Sequence, residues 1–123
     1  MPKNAKCFIV DDDEITRINV RSYLKKGGHQ VVVEASNLGV ALEAVRGLES
    51  QGVTVAVLDG NLSLGQSTGR DGGLIATAIR RAFPSIKIIS LSLGRYDWPD
   101  HMLGKGSLYD SNKNVLADLI DSL

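Results

Sequence analysis

Residues Lys6–Glu14 read KCFIVDDDE, four apolar residues in the first five and then four acids in a row. A short unbroken apolar run that stops on carboxylates has the pattern of a strand covered on both faces and ending at a polar edge. The residues after it support a parallel sheet. Glu14–Lys26 places Ile15, Ile18, Val20 and Leu24 near helical spacing, and Gly27-Gly28 ends the helix. Gln30–Glu34 carries three consecutive valines and reads as a second strand. Asn37 caps a helix through Val40, Ala41, Ala44, Val45 and Leu48. Val53–Leu58 (VTVAVL) is a third, almost wholly apolar strand. Asp71 is placed to cap a helix over Gly72–Phe83, which Pro84 closes. Ile86–Leu93 (IKIISLSL) is a fourth strand.

The rest of the chain is less regular. Gly94–Lys105, with Pro99 and Gly104, holds at most a short helix. Gly106–Tyr109 reads as a fifth strand, and Asp110–Asn112 offer caps for a last helix through Val115, Leu116, Leu119 and Ile120. Strands alternating with helices give an α/β fold with a parallel sheet and helices on both faces. Residues 1–123 read as a single domain, with no repeat, low-complexity tract or linker.

Composition narrows the function classes. The 123 residues hold 14 basic and 14 acidic side chains, a formal net charge of zero. That is not the basic excess of a dedicated nucleic-acid binder, nor of a polybasic membrane anchor. No apolar run reaches the ~20 residues needed to span a bilayer. The N-terminal apolar stretch is too short for a signal peptide, so a cytoplasmic domain is expected. The single cysteine, Cys7, excludes an internal disulfide and falls where a small buried core residue would. His29, after a Gly-Gly turn, reads as structural, and His101 as a surface residue.

Ligands of an open parallel sheet bind beyond the carboxyl ends of its strands. There the first strand delivers Asp11, Asp12 and Asp13, the third Asp59, and the fourth Ser90 and Ser92. Carboxylates brought together repel, and either a proton or a cation must answer that repulsion. Oxygen ligands with no histidine or cysteine favour Mg²⁺, which keeps open positions for phosphate oxygens. A metal-held phosphoryl group beside an aspartate is arranged for in-line transfer to it. Asp13 reads as a helix cap rather than a ligand.

At FIVDDDE (Phe8–Glu14), TVAVLDGNL (Thr54–Leu62), DGG (Asp71–Gly73) and IKIISLS (Ile86–Ser92), the chain resembles the receiver domains of two-component response regulators, of the chemotaxis-regulator kind. The resemblance spans the whole chain. It implies a flavodoxin-like, doubly wound five-stranded sheet of order 2-1-3-4-5. It implies that a histidine kinase or phosphotransfer protein passes a phosphoryl group to Asp59 with Mg²⁺. The metal would be held by Asp11, Asp12, Asp59 and the backbone carbonyl of Asn61, and Ser92 would be the switch hydroxyl. Ser90 is expected on the opposite face or in the core. A downstream protein would read the face of the family's fourth helix, fifth strand and fifth helix, here carrying Trp98, His101, Met102 and Tyr109. Such a domain is a signalling module rather than an enzyme.

The chain also departs from the family pattern. With the fifth strand set at Gly106–Tyr109, Ser111 takes the position of the family's lysine and Asn112 that of its proline, leaving Lys105 and Lys113 out of register. Leu108 falls where the switch aromatic is expected, beside Tyr109. Ser63 replaces a proline, and the loop to Asp71 is long, with Arg70 near its end. Gly94 leaves room for water and suggests a short phosphoryl lifetime. Trp98 reads equally as a partner anchor or as packing over a shortened helix. Two other readings stand beside the phosphoacceptor. One is a pseudo-receiver, a phosphorylation-independent interaction module. The other is a small phosphatase with an aspartate nucleophile, because Asp11, Asp13 and Ile15 echo the opening motif of haloacid-dehalogenase-type enzymes.

Overall fold

Strand parity divides the core in two. On Lys6–Val10 (β1), Phe8 and Val10 point to one face of the sheet while Cys7 and Ile9 point to the other, as alternation in a strand requires. The structure, a computed structural model, describes residues 4–60, 70–92, 95–109 and 113–123, without the side chain of Tyr109. Its further elements are α1 (Glu14–Lys26), β2 (Gln30–Ala35), α2 (Leu38–Ala44, continued by a 3₁₀ turn Val45–Gly47), β3 (Val55–Leu58), α3 (Arg70–Ala82), β4 (Lys87–Ser92), β5 (His101–Gly104, followed by a 3₁₀ turn Lys105–Tyr109) and α4 (Val115–Asp121). The five strands are all parallel in the order β2-β1-β3-β4-β5. The doubly wound order expected from the resemblance is therefore the order found.

One apolar layer joins Phe8, Val10, Ala56, Leu58 and Ile88 to Ala41, Ile75, Ala76 and Ile79 under α2 and α3. The other joins Cys7, Ile9, Val55, Val57, Ile89 and Leu91 to Val20 and Leu24 of α1 and Leu116 and Ile120 of α4. Every residue of β3 is buried, which is why its sequence shows no alternation. Burial pushes the Cys7 thiol up to about 12, so it stays protonated and unreactive. His29 is structural as expected. Its Nδ1 accepts the Ala5 N–H at 3.1 Å and its Nε2 lies 2.9 Å from Asp121 Oδ1, tying α4 to the start of β1. No helix among the described residues is long and apolar enough to cross a membrane.

Several sequence expectations are corrected. Ile15 and Ile18 are exposed, 67% and 47%, and the inward face of α1 is Thr16, Val20 and Leu24. Asp71 lies inside the first turn of α3 and is buried, because the helix begins at Arg70. The last helix is capped by Asn114, whose side chain accepts the Ala117 N–H. The fifth strand is His101–Gly104 rather than Gly106–Tyr109, and the latter residues lie in the 3₁₀ turn, with Leu108 buried against α1 and α4. Among the described residues no helix joins β4 to β5, so a reading face built on such a helix does not exist there.

Candidate acidic site at the carboxyl end of the sheet

Two backbone bonds fix the ends of the central strands. The Asp11 N–H donates to Ala35 O at 3.2 Å and the Asp59 N–H to Val10 O at 2.8 Å, so both acids leave the sheet side by side. Asp11 and Asp59 are buried, 4% and 5% exposed, and Asp12 is exposed. One carboxylate oxygen from each of the three lies within 4.8 Å of the others. Asp13 turns away as the cap of α1. Its carboxylate accepts the Ile15 N–H at 3.2 Å and the Thr16 hydroxyl at 2.7 Å. The Thr16 hydroxyl is the main cause holding the Asp13 carboxyl below its ordinary value. Arg17 Nη1 donates to Asp11 O at 2.7 Å and its Nε lies 3.6 Å from Glu34, pinning the β1–α1 turn against β2.

The positive charge comes from Lys105. Its Nζ lies 3.1 Å from Asp11 Oδ2 and 3.4 Å from Asp59 Oδ2. Moving β5 to His101–Gly104 sets Gly104 opposite Ser92 and leaves Lys105 as the first residue past the strand. The residue just past the fifth strand and beside Asp11 and Asp59 is thus Lys105 rather than Ser111. Burial alone would lower the Lys105 ammonium, but the charges of Asp11 and Asp59 outweigh it and raise the group above its ordinary value. Burial raises the Asp11 carboxyl, against the Asp13 N–H that donates to it at 2.9 Å and against Lys105.

Three carboxylates face one ammonium, and the buried Asp11 Oδ2 meets Lys105 as an ion pair without the alignment of a hydrogen bond. An all-oxygen donor set with residual negative charge and a buried oxygen lacking an aligned donor suits a hard divalent cation such as Mg²⁺. Asn61, expected to add a backbone carbonyl, lies outside the described residues, as do Ser63, Gly94, Ser111 and Asn112. Arg70 is exposed at the start of α3.

Ser92 ends β4 buried, with its Oγ 2.9 Å from the Tyr96 hydroxyl. Ser90 shares Ser92's face, one strand repeat lower, and is a core residue whose Oγ has no hydrogen-bond partner among the described residues. Tyr96 stacks on Trp98 with centroids 5.4 Å apart and planes 8° from parallel. Trp98 lies on Gly72 and Gly73 in the first turn of α3, not over a shortened helix between β4 and β5. Sequence reasoning passed over Tyr96 and put Lys105 out of register. The available signal was the lysine directly after HMLG, and Tyr96 carried none.

No protein-family model matches the sequence, and no curated protein matches it. Solved structures do. The Salmonella typhimurium RcsB response regulator superposes with a TM-score of 0.72 at 23% identity, over 98% of this chain and 62% of that one. The non-phosphorylated receiver domain of Escherichia coli RcsB gives 0.72 at 23% identity, over 98% and 95%. CheY6 of R. sphaeroides, solved in complex with the P1 domain of CheA3, gives 0.69 at 23% identity, over 99% and 98%. Together with the strand order, these likenesses establish that the chain has the fold of response-regulator receiver domains.

Proposed function

We propose that the chain is a phosphoacceptor receiver domain in which Asp59 takes a phosphoryl group from a phosphohistidine. The observation that carries this reading is Lys105 Nζ bridging Asp11 and Asp59 inside a cluster of three carboxylates. Asp59 is the acceptor because it directly follows the central strand β3 and shares its Oδ2 with the lysine. In the transfer, a carboxylate oxygen of Asp59 forms a bond to phosphorus as the histidine N–P bond breaks. The imidazole leaves with the electron pair and takes a proton from water. Lys105 is placed to follow the charge from the carboxylate to the phosphoryl oxygens, and the Ser92 hydroxyl to donate to one of them.

Asp11, Asp12 and Asp59, with the Asn61 carbonyl, would hold Mg²⁺. When bound, that ion would neutralise the phosphoryl oxygens and keep them in line. The donor would be a histidine kinase or a phosphotransfer protein, in a cytoplasmic setting. The CheY6 complex with a CheA3 P1 domain supports a partner of that kind. The pseudo-receiver reading rested on a missing lysine, and Lys105 beside Asp11 and Asp59 weighs against it. An Asp11 nucleophile has less support, since Asp11 is held by the Asp13 N–H and by Lys105.

The test is intact mass after incubation with Mg²⁺ and acetyl phosphate. The parent is expected to gain one phosphoryl group and Asp59→Asn none. Full incorporation in Asp59→Asn would overturn the assignment.

A further inference from the structure

The described part of the connection between β4 and β5, residues 95–100, is held differently at its two ends. At the far end Asp100 is clamped to β4. Its N–H donates to Ile88 O at 2.8 Å, and its carboxylate accepts the Ile88 N–H at 2.8 Å and faces Arg80 Nη2 at 3.2 Å. Arg80 Nη1 also donates to the Trp98 carbonyl. Trp98 fits against α3 only because Gly72 has no side chain, since a Cβ there would fall 2.6 Å from Trp98 Cζ2. At the near end stands Tyr96. Its ring lies on Gly60, the residue after Asp59, where a Cβ would fall 2.3 Å from Tyr96 Cε2. Its hydroxyl is 2.9 Å from Ser92 Oγ. The aromatic pair therefore covers the backbone beside Asp59 and engages the hydroxyl that the proposed reaction uses.

We propose that Tyr96 is a latch on the Ser92 hydroxyl, closed before phosphorylation and displaced by it. This rests on the reading of Asp59 as the acceptor. Whichever oxygen donates, the contact holds the Ser92 hydroxyl against Tyr96. An aspartyl phosphate offers charged oxygens, and a charge-assisted hydrogen bond to them is stronger than one between two neutral hydroxyls. Ser92 turns to the phosphoryl group, Tyr96 loses its hydroxyl partner and its place on Gly60, and the Tyr96–Trp98 pair shifts while Asp100 stays on β4. The part of the surface that reports phosphorylation is then this aromatic segment. Tyr96 acts through Ser92 and is a positioning residue for the reaction, not a catalytic one.

Trp98 is the only tryptophan in the chain and stacks on the latch, so it supplies the readout. Mg²⁺ with beryllofluoride is titrated into the parent, Tyr96→Phe and Asp59→Asn, following Trp98 emission and its quenching by acrylamide. Acetyl phosphate incorporation is timed in the same proteins. Tyr96→Phe keeps the ring and its stacking but not the hydroxyl. It is expected to bind beryllofluoride more tightly and to incorporate phosphoryl faster, each by about 2- to 10-fold, the worth of one ordinary net hydrogen bond. In the parent, beryllofluoride is expected to increase quenching of Trp98, and in Asp59→Asn to leave it unchanged. Equal or weaker binding in Tyr96→Phe, in a parent that incorporates phosphoryl, would overturn the latch alone. So would unchanged quenching in that parent. No incorporation in either protein would overturn the acceptor reading and the latch with it.

Discussion

Two connections cross the same face of the sheet on either side of β4. From β3 to β4 the chain returns through α3, whose Ile75, Ala76 and Ile79 are fully buried in the core. From β4 to β5 the described part of the connection has no helix. It packs two half-buried rings on glycine backbone, with Trp98 only at the margin of the apolar layer under α3, and polar bonds to Arg80 and Ile88 hold it as well. The first connection opens only with the whole domain, because its attachment is apolar core. The second can release one end at the cost of a stack and a hydroxyl contact, which is what a segment that moves on signalling needs.

The comparison is most exposed to core truncation. Ile79→Ala is expected to cost about 2–5 kcal/mol in urea unfolding. Trp98→Ala should cost about 1–2 kcal/mol, since its ring is only half removed from water. Equal losses would erase the distinction between the two connections. Next is the lysine that β5 delivers. Lys105→Met leaves two buried carboxylates without their cation and is expected to cost about 1–3 kcal/mol at neutral pH. Added Mg²⁺ should narrow the gap between this variant and the parent. A gap that Mg²⁺ leaves unchanged would argue against the acids as its ligands.

The glycines under the aromatic pair sharpen the comparison further. Gly72→Ala gains helix propensity, but its Cβ would meet the Asp59 carbonyl at 2.8 Å as well as Trp98. A net loss of about 1–2 kcal/mol is expected, because backbone cannot give way cheaply. At Gly73 the nearest atom is Trp98 Cδ1 at 3.1 Å. Propensity and crowding nearly cancel there, and the change should stay within about 0.5 kcal/mol. Thermal melts of the pair check the order.

The smallest effect is the alkaline one. Lys105 is raised above its ordinary 10.5 by Asp11 and Asp59, which outweigh the opposing effect of burial. Its folded form therefore holds the proton more tightly than its unfolded form. That contribution is fully present below pH 10.5 and is lost as pH rises through the higher folded value. The stability advantage of the parent over Lys105→Met should shrink across that window. A constant advantage would mean that Lys105 acts through packing alone.

Where strands are covered on both faces, the sequence was readable. KCFIV, VAVL and KIISLS are mostly apolar because both faces of these strands are buried, and the acids that follow β1 and β3 fall together as expected. β5 was misplaced for the opposite reason. It is an edge strand of four residues, HMLG, exposed at three of them, and so carries no apolar run. That one error put Ser111, not Lys105, just beyond the strand. Ile15 and Ile18 misled because a helix that buries one narrow stripe tolerates large apolar residues outside it. Tyr96 was illegible because its partners, Gly60 and Ser92, meet it only in the folded chain.

The most direct test of the central claim is to trap the phosphoryl group and locate it. After incubation with Mg²⁺ and acetyl phosphate, borohydride reduces an aspartyl phosphate to homoserine, which peptide mass mapping identifies. Homoserine at position 59 alone is the predicted result. Homoserine at Asp11 or Asp12, or none in the folded protein, would contradict it.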